Sequence, residues 1–229
     1  MSAPEIARAA CLMPGIARVA AMAGEPLALI ELDAGAGFNL LCDHYGYDYG
    51  RAGDLGPDEP LLSLDCEAQG SKLPPLPAGM PRIGARIGID AEPVDLADAG
   101  QRARLEAAAG AADAERRALL GRAIDIVLHH RPRMVKGDAL DLLPGLLRET
   151  SGPLCLLHCM ALAGWSAERR AGLQRCLTEA SGERVLHRLG LEMEGEDCCL
   201  DHLIYDRGAG STRRLARCAP QGNWIRWVG

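Results

Sequence analysis

The chain lacks an excess of positive charge and lacks the short motifs that mark several enzyme classes. Its 31 aspartates and glutamates outnumber its 25 lysines and arginines, so it offers no basic surface for phosphate contacts and no nucleic-acid partner is expected. It has no phosphate-binding loop and no Gly-x-Ser-x-Gly nucleophile elbow, which disfavours P-loop and α/β-hydrolase chemistry. A small or uncharged substrate is therefore the expectation.

The sequence also lacks the marks of a membrane, secreted or metal-binding protein. No apolar run is long and clean enough to span a bilayer, and the first residues lack a signal peptide's basic start and apolar stretch. We therefore expect no membrane partner and a cytoplasmic location. The nine cysteines form no Cys-x-x-Cys pair, as in a protein with reduced thiols. Ligand-type residues at 129–130 and 198–202 lack zinc-like spacing, and no metal is expected.

What the chain does have is enough apolar sequence for one sizeable core. Its 229 residues are 48% hydrophobic, which favours a single domain over residues 1–229. An N-terminal helix is predicted over residues 2–24, because Ser2-Ala3-Pro4-Glu5 is a capping-box pattern and apolar residues follow at helical spacing. Pro14 is expected to kink or restart this helix.

The most informative segment is the apolar run 27–32 with the glycine turn that follows it. Glu31 lies near the end of the run, and Gly35 and Gly37 follow. A buried strand that ends in an acid and a glycine turn is how a nucleoside-binding α/β protein begins its first crossover. Leu40 occupies the place where a dinucleotide fingerprint needs a small residue, which disfavours NAD and FAD. An ordinary strand-to-helix turn is the alternative.

Two later segments repeat the arrangement of a strand followed by an acid. Residues 86–93 predict a strand that ends at Asp90, with a proline that opens a helix near Asp95. A carboxylate at such a strand tip can accept both hydroxyls of a ribose. Residues 133–144 predict a strand, a turn that carries Asp138 and a short helix. For both acids the alternative is a place at a helix N-cap.

A fourth segment, 153–160, is continuously apolar, as expected for the centre of a parallel sheet that is covered on both faces. Ligands of open α/β sheets bind beyond the C-terminal strand ends, so His158 and Cys159 are expected to border the cleft. His158 is then the candidate general base. The alternative is a structural histidine whose ring is hydrogen-bonded.

The C-terminal third is predicted to form the edge of the sheet. Strands are expected at 184–191, 198–205 and 212–218, and the alternating run 224–228 is typical of an exposed edge strand. The link between the first two of these strands is too short for a crossover helix. Glu192, near the tip of the first, is a second catalytic candidate at the cleft, and a solvent-facing acid is the alternative.

Residues 43–82 form an insertion between the first helix and the second strand. Three of the four tyrosines lie there, at Tyr45, Tyr47 and Tyr49, and on an extended segment they share one face. Tyrosine in a glycine-rich loop offers contact area and a polar tip, so a substrate-recognition surface is favoured. The structural alternative is a hairpin stacked on the sheet edge.

The acid and glycine turn, with the two later acids in this order, resemble the first motifs of class I S-adenosylmethionine-dependent methyltransferases. The resemblance implies a Rossmann-like three-layer αβα sandwich with a mostly parallel sheet and a C-terminal antiparallel hairpin. By this resemblance Glu31 orients the methionine end of the cofactor and Asp138 faces the adenine amino group, while the two glycines pack beneath the cofactor. The cofactor-binding set that the resemblance implies is Glu31, Asp33, Gly35, Gly37, Asp90 and Asp138.

Motifs across the chain are also similar to those of a bacterial family of unknown function whose fold is methyltransferase-like. They lie at residues 31–41, 43–50, 88–95 and 137–139. The resemblance covers nearly the whole chain, and family members with a longer N-terminus imply that this chain is a fragment or a short form. Two functions follow. One is a methyltransferase that acts on a small molecule, and the other is a non-catalytic relative that senses a ligand or contacts a protein.

Overall fold

A computed structural model describes residues 5–24, 26–109 and 113–229. Within these residues the chain forms α-helices, two β-sheets and short 3-10 turns at Ile6–Arg8, Asn39–His44 and Gly50–Ala52. The α-helices are α1 Ala9–Ala23, α2 Ala99–Ala108, α3 Ala114–His130, α4 Ala139–Glu149 and α5 Ala167–Ala180. The strands are β1 Leu27–Leu32, β2 Gly46–Asp48, β3 Asp54–Leu55, β4 Ser63–Asp65, β5 Glu67–Ala68, β6 Ile83–Asp90, β7 Arg133–Lys136, β8 Leu154–Cys159, β9 Leu186–Glu194, β10 Asp197–Asp206, β11 Ala209–Cys218 and β12 Trp224–Trp227.

The larger sheet has nine strands in the order β5-β12-β11-β10-β9-β8-β1-β6-β7, and β3-β2-β4 form a smaller one. The five strands from β9 to β7 run parallel, and β10 and β11 continue the sheet antiparallel. The chain winds from β1 outward to β6 and β7, and then returns to the other side of β1 for β8 and β9. The C-terminal ends of β1 and β8 are therefore a switch point, where ligands of such sheets bind.

Helices cover the sheet on both faces. Residues of α1 and α3 join Leu29 and Leu157 in the core on one face. Residues of α4 and α5 join Ile30 and Leu156 in the core on the other face. Neighbouring residues of β1 and β8 thus enter opposite cores, which is why both strands are almost continuously apolar. The predicted α/β class, with a mostly parallel sheet and antiparallel C-terminal strands, is confirmed.

The helix α1 is an internal helix that packs on β8, β9 and β10. It follows the 3-10 turn at Ile6–Arg8 and ends before Gly24, whose φ of 97° suits glycine. Most of the predicted capping box, residues 2–4, lies outside the described residues. By length and composition Ile6–Ala23 qualifies as a membrane span, so the expectation that no run qualifies is wrong. Of this stretch, 67% is buried inside the domain, as in an internal helix.

The tyrosines of the 43–82 insertion are buried, so the predicted substrate-recognition surface is wrong. Tyr45 donates its hydroxyl to the carbonyl of Phe38, and Tyr47 donates to the carbonyl of Cys42. Both carbonyls belong to the segment that follows the glycine turn. These two buried tyrosines therefore hold that segment in place through their hydroxyl groups, which point into the protein interior and not toward solvent.

Tyr49 explains how α1 tolerates a proline. An α-helix bonds the N–H of residue 14 to the C=O of residue 10, but Pro14 has no N–H. The Tyr49 hydroxyl donates to the Ala10 carbonyl over 2.7 Å and so satisfies the acceptor that Pro14 leaves free. The helix continues through Pro14, and the predicted restart does not occur.

Strands β9 and β10 are joined by the two-residue turn 195–196 and pair antiparallel, so the link holds no crossover helix, as predicted. Two other features differ from those predicted. Strand β12 pairs with β11 on one side and with residues 67–68 on the other, so the predicted exposed edge strand is internal. The helix expected near Asp95 begins at Ala99, where Asp98 is the N-cap.

Candidate functional site

A cleft of about 480 Å³ lies at the C-terminal ends of β1 and β8, at the switch point of the sheet. The glycine loop after β1, the tip of β6, the end of β8 and the 3-10 turn before α1 form its walls. A cleft of this size suits a small molecule. Its polar lining includes Arg8, Glu31, Asp33, Asn39, Asp90 and Glu92.

The glycine loop, residues 33–37, has a main-chain conformation that favours glycine and, less strongly, asparagine and aspartate. Asp33, Gly35 and Gly37 all have positive φ, at 56°, 57° and 83°. A Cβ on Gly35 would meet no atom within 4 Å, so the main chain here borders open space. A Cβ on Gly37 would lie 3.0 Å from Pro132 and 3.1 Å from Met134. Gly37 therefore packs the loop against Pro132 and β7, and it is not among the residues that line the cleft.

Glu31 lies at the floor of the cleft and is only 2% exposed. Its Oε1 accepts a 2.7 Å hydrogen bond from the Asn39 side-chain amide, whereas its Oε2 has no partner among the described residues. The pKa of Glu31 is raised to about 8, mainly by burial and also by Asp33 and Asp90, although the bond from Asn39 lowers it. At neutral pH the carboxyl group is therefore mostly uncharged.

Asp90 holds the glycine loop from the tip of the neighbouring strand. Its two oxygens accept 2.8 Å hydrogen bonds from the main-chain N–H groups of Gly35 and Glu92. A carboxylate has about four acceptor sites, so Asp90 can still accept bonds from a ligand. The loop is thus preformed by an acid that retains binding capacity.

Carboxyl groups dominate the charge of the cleft. Partial burial, with Asp90 and Glu192 nearby, raises the pKa of Asp33 above its usual value. Such a site attracts cations and repels phosphates. Among the described residues, Arg8 is the one guanidinium that lines the cleft. Glu31 is mostly uncharged, Glu5 pairs with Arg116 over 3.4 Å, and Glu92 pairs with Lys136 over 2.9 Å. Asp33 and Asp90 therefore supply most of the negative charge of the cleft.

Asp138 lies away from the cleft. It is the N-cap of α4, where its side chain accepts a 2.8 Å bond from the N–H of Leu140, and it forms a 2.7 Å ion pair with Arg169. The bond from Arg169 holds the pKa of Asp138 below its usual value. The N-cap alternative is therefore the one that the structure shows, and Asp138 is not among the residues that line the cleft.

His158, the predicted general base, is 2% exposed, and the structure shows the alternative, a histidine whose ring is hydrogen-bonded. Its Nδ1 is 2.7 Å from Glu192 Oε1, and its Nε2 accepts a 3.0 Å bond from Arg188 Nε. Burial lowers the pKa of His158, so the neutral ring donates from Nδ1 and accepts at Nε2. Both ring nitrogens are engaged, and neither can take a proton from a substrate.

Glu192 holds the loop that follows β8. Besides His158, its Oε1 accepts the N–H groups of Ala161 and Leu162 over 3.0 and 3.1 Å. Its side chain is 25% exposed, and its charge raises the pKa of Asp33, which places it near the cleft. Glu192 thus positions the loop beside the cleft rather than lining the cleft itself.

Cys159 lines the cleft at the end of β8, as predicted. Burial raises the pKa of its thiol well above the usual value. The thiol is therefore protonated at neutral pH and is a weak nucleophile. This site does not favour chemistry through a covalent cysteine intermediate.

Asn39 and Arg188 are site residues that the sequence did not reveal. Asn39 is the partner of Glu31, and Arg188 is the partner of His158. One signal for the second pair lies in Gly190, a glycine inside an apolar strand. A Cβ there would lie 2.4 Å from the His158 ring, so the glycine makes room for the imidazole.

Comparison with known proteins shows the family of the chain. Residues 2–227 match the model of a family described as an uncharacterized protein conserved in bacteria, DUF2332. The chain belongs to this family. The predicted membership of a bacterial family of unknown function is thereby confirmed. No curated protein and no solved structure matches the chain.

In this DUF2332 member, only some of the residues predicted from sequence meet at one place. Glu31, Asp33, Gly35 and Asp90 line a single cleft. Asp138 caps a helix elsewhere, and the tyrosines of the insertion are buried in the core. The chemistry open to the cleft is the binding of a small, positively charged molecule that can also donate hydrogen bonds to carboxyl groups.

Proposed function

We propose that the cleft binds S-adenosylmethionine and that the chain transfers its methyl group to a small molecule. The observation that carries the proposal is Glu31, a buried carboxyl with an unpaired oxygen at the floor of an acidic cleft. Nucleoside ligands of open α/β sheets bind at this switch point. S-adenosylmethionine has a sulfonium and an ammonium group, which suit carboxyl-lined walls.

The cleft residues match the parts of this cofactor. Asp90 has free acceptor sites for the ribose hydroxyls. Glu31 has an oxygen that an ammonium group would satisfy, directly or through a water molecule. Gly35 has no side chain, so the main chain of the glycine loop stays accessible to the ligand at this point. Val94 and Leu105 add apolar surface to the same cleft, suited to an adenine ring.

The charge of the cleft supports this cofactor over nucleotides that carry phosphates. The phosphates of NAD or ATP would have to lie beside Asp33 and Asp90, with Arg8 as the cation in the cleft lining. At an effective dielectric constant of about 20, two like charges about 4 Å apart repel by about 4 kcal/mol. A dinucleotide therefore fits the site poorly on electrostatic grounds as well as on its sequence motif.

Methyl transfer depends on alignment more than on an acid or a base. The cofactor supplies an electrophilic methyl group for an in-line displacement, so correct placement of the acceptor provides much of the rate. An acceptor atom that has no proton to lose needs no general base. This requirement agrees with a site in which both nitrogens of His158 are engaged.

A second candidate is a protein that binds the same ligand without turning it over. The observation that favours it is Asp33, whose side chain stands at the cleft where the methyltransferase motif has glycine. Such a protein would act as a ligand sensor or a protein-contact module. Formation of S-adenosylhomocysteine during incubation with small-molecule acceptors separates the two candidates, because a sensor forms none.

Calorimetric titration with S-adenosylmethionine, S-adenosylhomocysteine, NAD and ATP tests the proposal. We expect micromolar binding of the first two and no binding of the two nucleotides. No heat and no thermal shift with either S-adenosyl ligand would contradict the proposal.

Asp33→Asn is the most specific variant for this test. Asparagine tolerates the same positive φ, so the loop should keep its conformation. The change removes a negative charge, and S-adenosylmethionine is charged at sulfur whereas S-adenosylhomocysteine is not. We expect the affinity for S-adenosylmethionine to fall by about three- to tenfold more than that for S-adenosylhomocysteine.

Asp138→Asn is the matched control, since it makes the same chemical change outside the cleft and keeps a good N-cap residue. We expect unchanged affinity for both ligands. Equal losses for the two ligands in Asp33→Asn would show that Asp33 does not interact with the sulfonium charge.

A further inference from the structure

Glu31 is the one carboxyl group among the described residues that is fully buried in the cleft with an oxygen left unpaired. Its Oε1 has a single donor, the amide of Asn39, at 2.7 Å. An ionised carboxylate in this position would hold an uncompensated charge away from water, which is strongly unfavourable. The ligand-free protein is therefore expected to hold Glu31 in its neutral form.

The surroundings of Glu31 do not supply a compensating cation. Arg8 lines the same cleft, but it is not among the groups that shift the pKa of Glu31, and its Nε donates to the carbonyl of Pro220 over 2.7 Å. Burial raises the pKa of the neighbouring thiols and of the phenol, so these groups are neutral. The titratable groups that interact with Glu31 from the surrounding elements are Asp33, Asp90, Cys42, Tyr45 and Cys159.

We propose that Glu31 is protonated in the ligand-free protein and gives up its proton when a positively charged group of a ligand enters beside it. The carboxyl O–H bond breaks, its electron pair stays on the oxygen, and the proton passes to the solvent. The carboxylate then pairs with the cation of the ligand, directly or through a water molecule. This inference rests on the proposed function, in which the α-ammonium of S-adenosylmethionine is that cation.

Proton release makes binding depend on pH and on the amino acid end of the ligand. The pKa of about 8 for Glu31 means that one proton leaves per ligand bound at lower pH. Affinity therefore rises by about tenfold per pH unit below that value and then levels off. The nucleoside 5′-methylthioadenosine has no ammonium group, so it should bind without releasing a proton.

Calorimetry near pH 6.5, in two buffers that differ in ionisation enthalpy, counts the protons released. We expect about one proton per S-adenosylmethionine or S-adenosylhomocysteine bound, and about none for 5′-methylthioadenosine. In Glu31→Gln the release should disappear while 5′-methylthioadenosine still binds. Equal release for all three ligands, or release that persists in Glu31→Gln, would overturn the inference because the proton would then come from another group.

A ligand-free measurement decides the inference even if none of these ligands binds, an outcome that would contradict the proposed function itself. Carbon-13 NMR of the side-chain carboxyl groups follows the titration of Glu31, and Glu31→Gln identifies its signal. We expect a midpoint near pH 8, and a midpoint near the usual value of 4.5 would overturn the inference.

Asn39→Leu is a second variant for the same titration. It removes the donor that favours the carboxylate, so the midpoint of Glu31 should move to still higher pH. This shift also identifies the signal if Glu31→Gln does not fold. An unmoved midpoint would contradict the assigned role of Asn39.

Discussion

Two glutamates lie near the same edge of the sheet and differ in how completely they are hydrogen-bonded. Glu192 at the end of β9 accepts three bonds at Oε1, from His158 and from the main chain after β8. Glu31 on β1 has one partner, Asn39, and an oxygen with none. The chemical group is the same, so the surroundings alone decide what each glutamate can do.

The difference distinguishes a structural network from a binding site. The network of Glu192 continues through His158 and Arg188 to Tyr205, so its polar groups are paired before any ligand arrives. Glu31 has no such continuation, and its unpaired oxygen costs stability unless another group pairs with it. An incompletely bonded polar group beside a cleft is therefore the better indicator of function.

His158→Leu should be the most damaging change, because it removes the centre of the completed network. Arg188 would lose the acceptor of its Nε, and Glu192 would lose a donor. We expect the free energy of unfolding to fall by about 4 kcal/mol, because two groups each lose a hydrogen-bond partner and each such loss costs about 1 to 3 kcal/mol, or more for a charged group. Urea denaturation measures this loss.

Lys136→Ala is the control for that measurement. Lys136 pairs with Glu92 over 2.9 Å at the surface, and both side chains are exposed. Such pairs contribute about 0 to 1 kcal/mol, so little change is expected. If His158→Leu costs no more than Lys136→Ala, the network does not stabilise the fold and the contrast with Glu31 disappears.

Glu31→Gln should raise the free energy of unfolding near pH 8, by about as much as His158→Leu lowers it. The pKa of Glu31 in the folded chain, about 8, lies above its usual value of 4.5. Between these values the folded chain keeps a proton that the unfolded chain has lost, so its stability falls as pH rises, by at most about 1.4 kcal/mol per unit. Glutamine does not titrate, so the variant should be about 4 kcal/mol more stable than the parent near pH 8.

Denaturation of both proteins across this pH range measures the effect. The stability difference should be small near the usual pKa of 4.5, grow with pH and level off above about 8. A difference that stays constant with pH would mean that Glu31 is already ionised in the folded, ligand-free protein. Glu31 would then resemble Glu192, and the comparison would fail.

Tyr49→Phe removes the hydrogen bond from Tyr49 to the Ala10 carbonyl in the core. It should change the free energy of unfolding less than His158→Leu or Glu31→Gln does. It leaves the buried Ala10 carbonyl without the donor that replaces the missing N–H of Pro14. We expect a loss of about 1 to 2 kcal/mol in the free energy of unfolding. In a Pro14→Ala background residue 14 regains an N–H, so the same change should cost less. Equal costs in both backgrounds would contradict the pairing of Tyr49 with Pro14.

Strands and strand ends could be predicted from sequence because burial leaves a local pattern. Apolar runs predicted β1 and β8 close to their observed positions, since strands covered on both faces must be apolar throughout. The acid or glycine turns that follow β6 and β7 marked the ends of these less buried strands. The ends of parallel strands share one edge of the sheet, so the meeting of Glu31, Gly35 and Asp90 also followed from the sequence.

Partners of buried polar groups could not be predicted, because they lie far away in the chain. Tyr49 alternates with its neighbours as a recognition strand would, yet its hydroxyl satisfies a carbonyl 39 residues away. His158 stands at a strand end as a catalytic base would, yet Arg188 and Glu192 occupy its ring from positions 30 and 34 residues further on. Tertiary packing creates these contacts, and no local pattern marks them.

A crystal structure of the chain with S-adenosylhomocysteine would decide whether the cleft is the binding site of this cofactor. We expect the ligand in the cleft, with its ribose hydroxyls at Asp90, its amino acid end beside Glu31, and the bonds of His158 unchanged. A cleft without ligand at saturating concentration, or a ligand bound elsewhere on the chain, would contradict the proposed function.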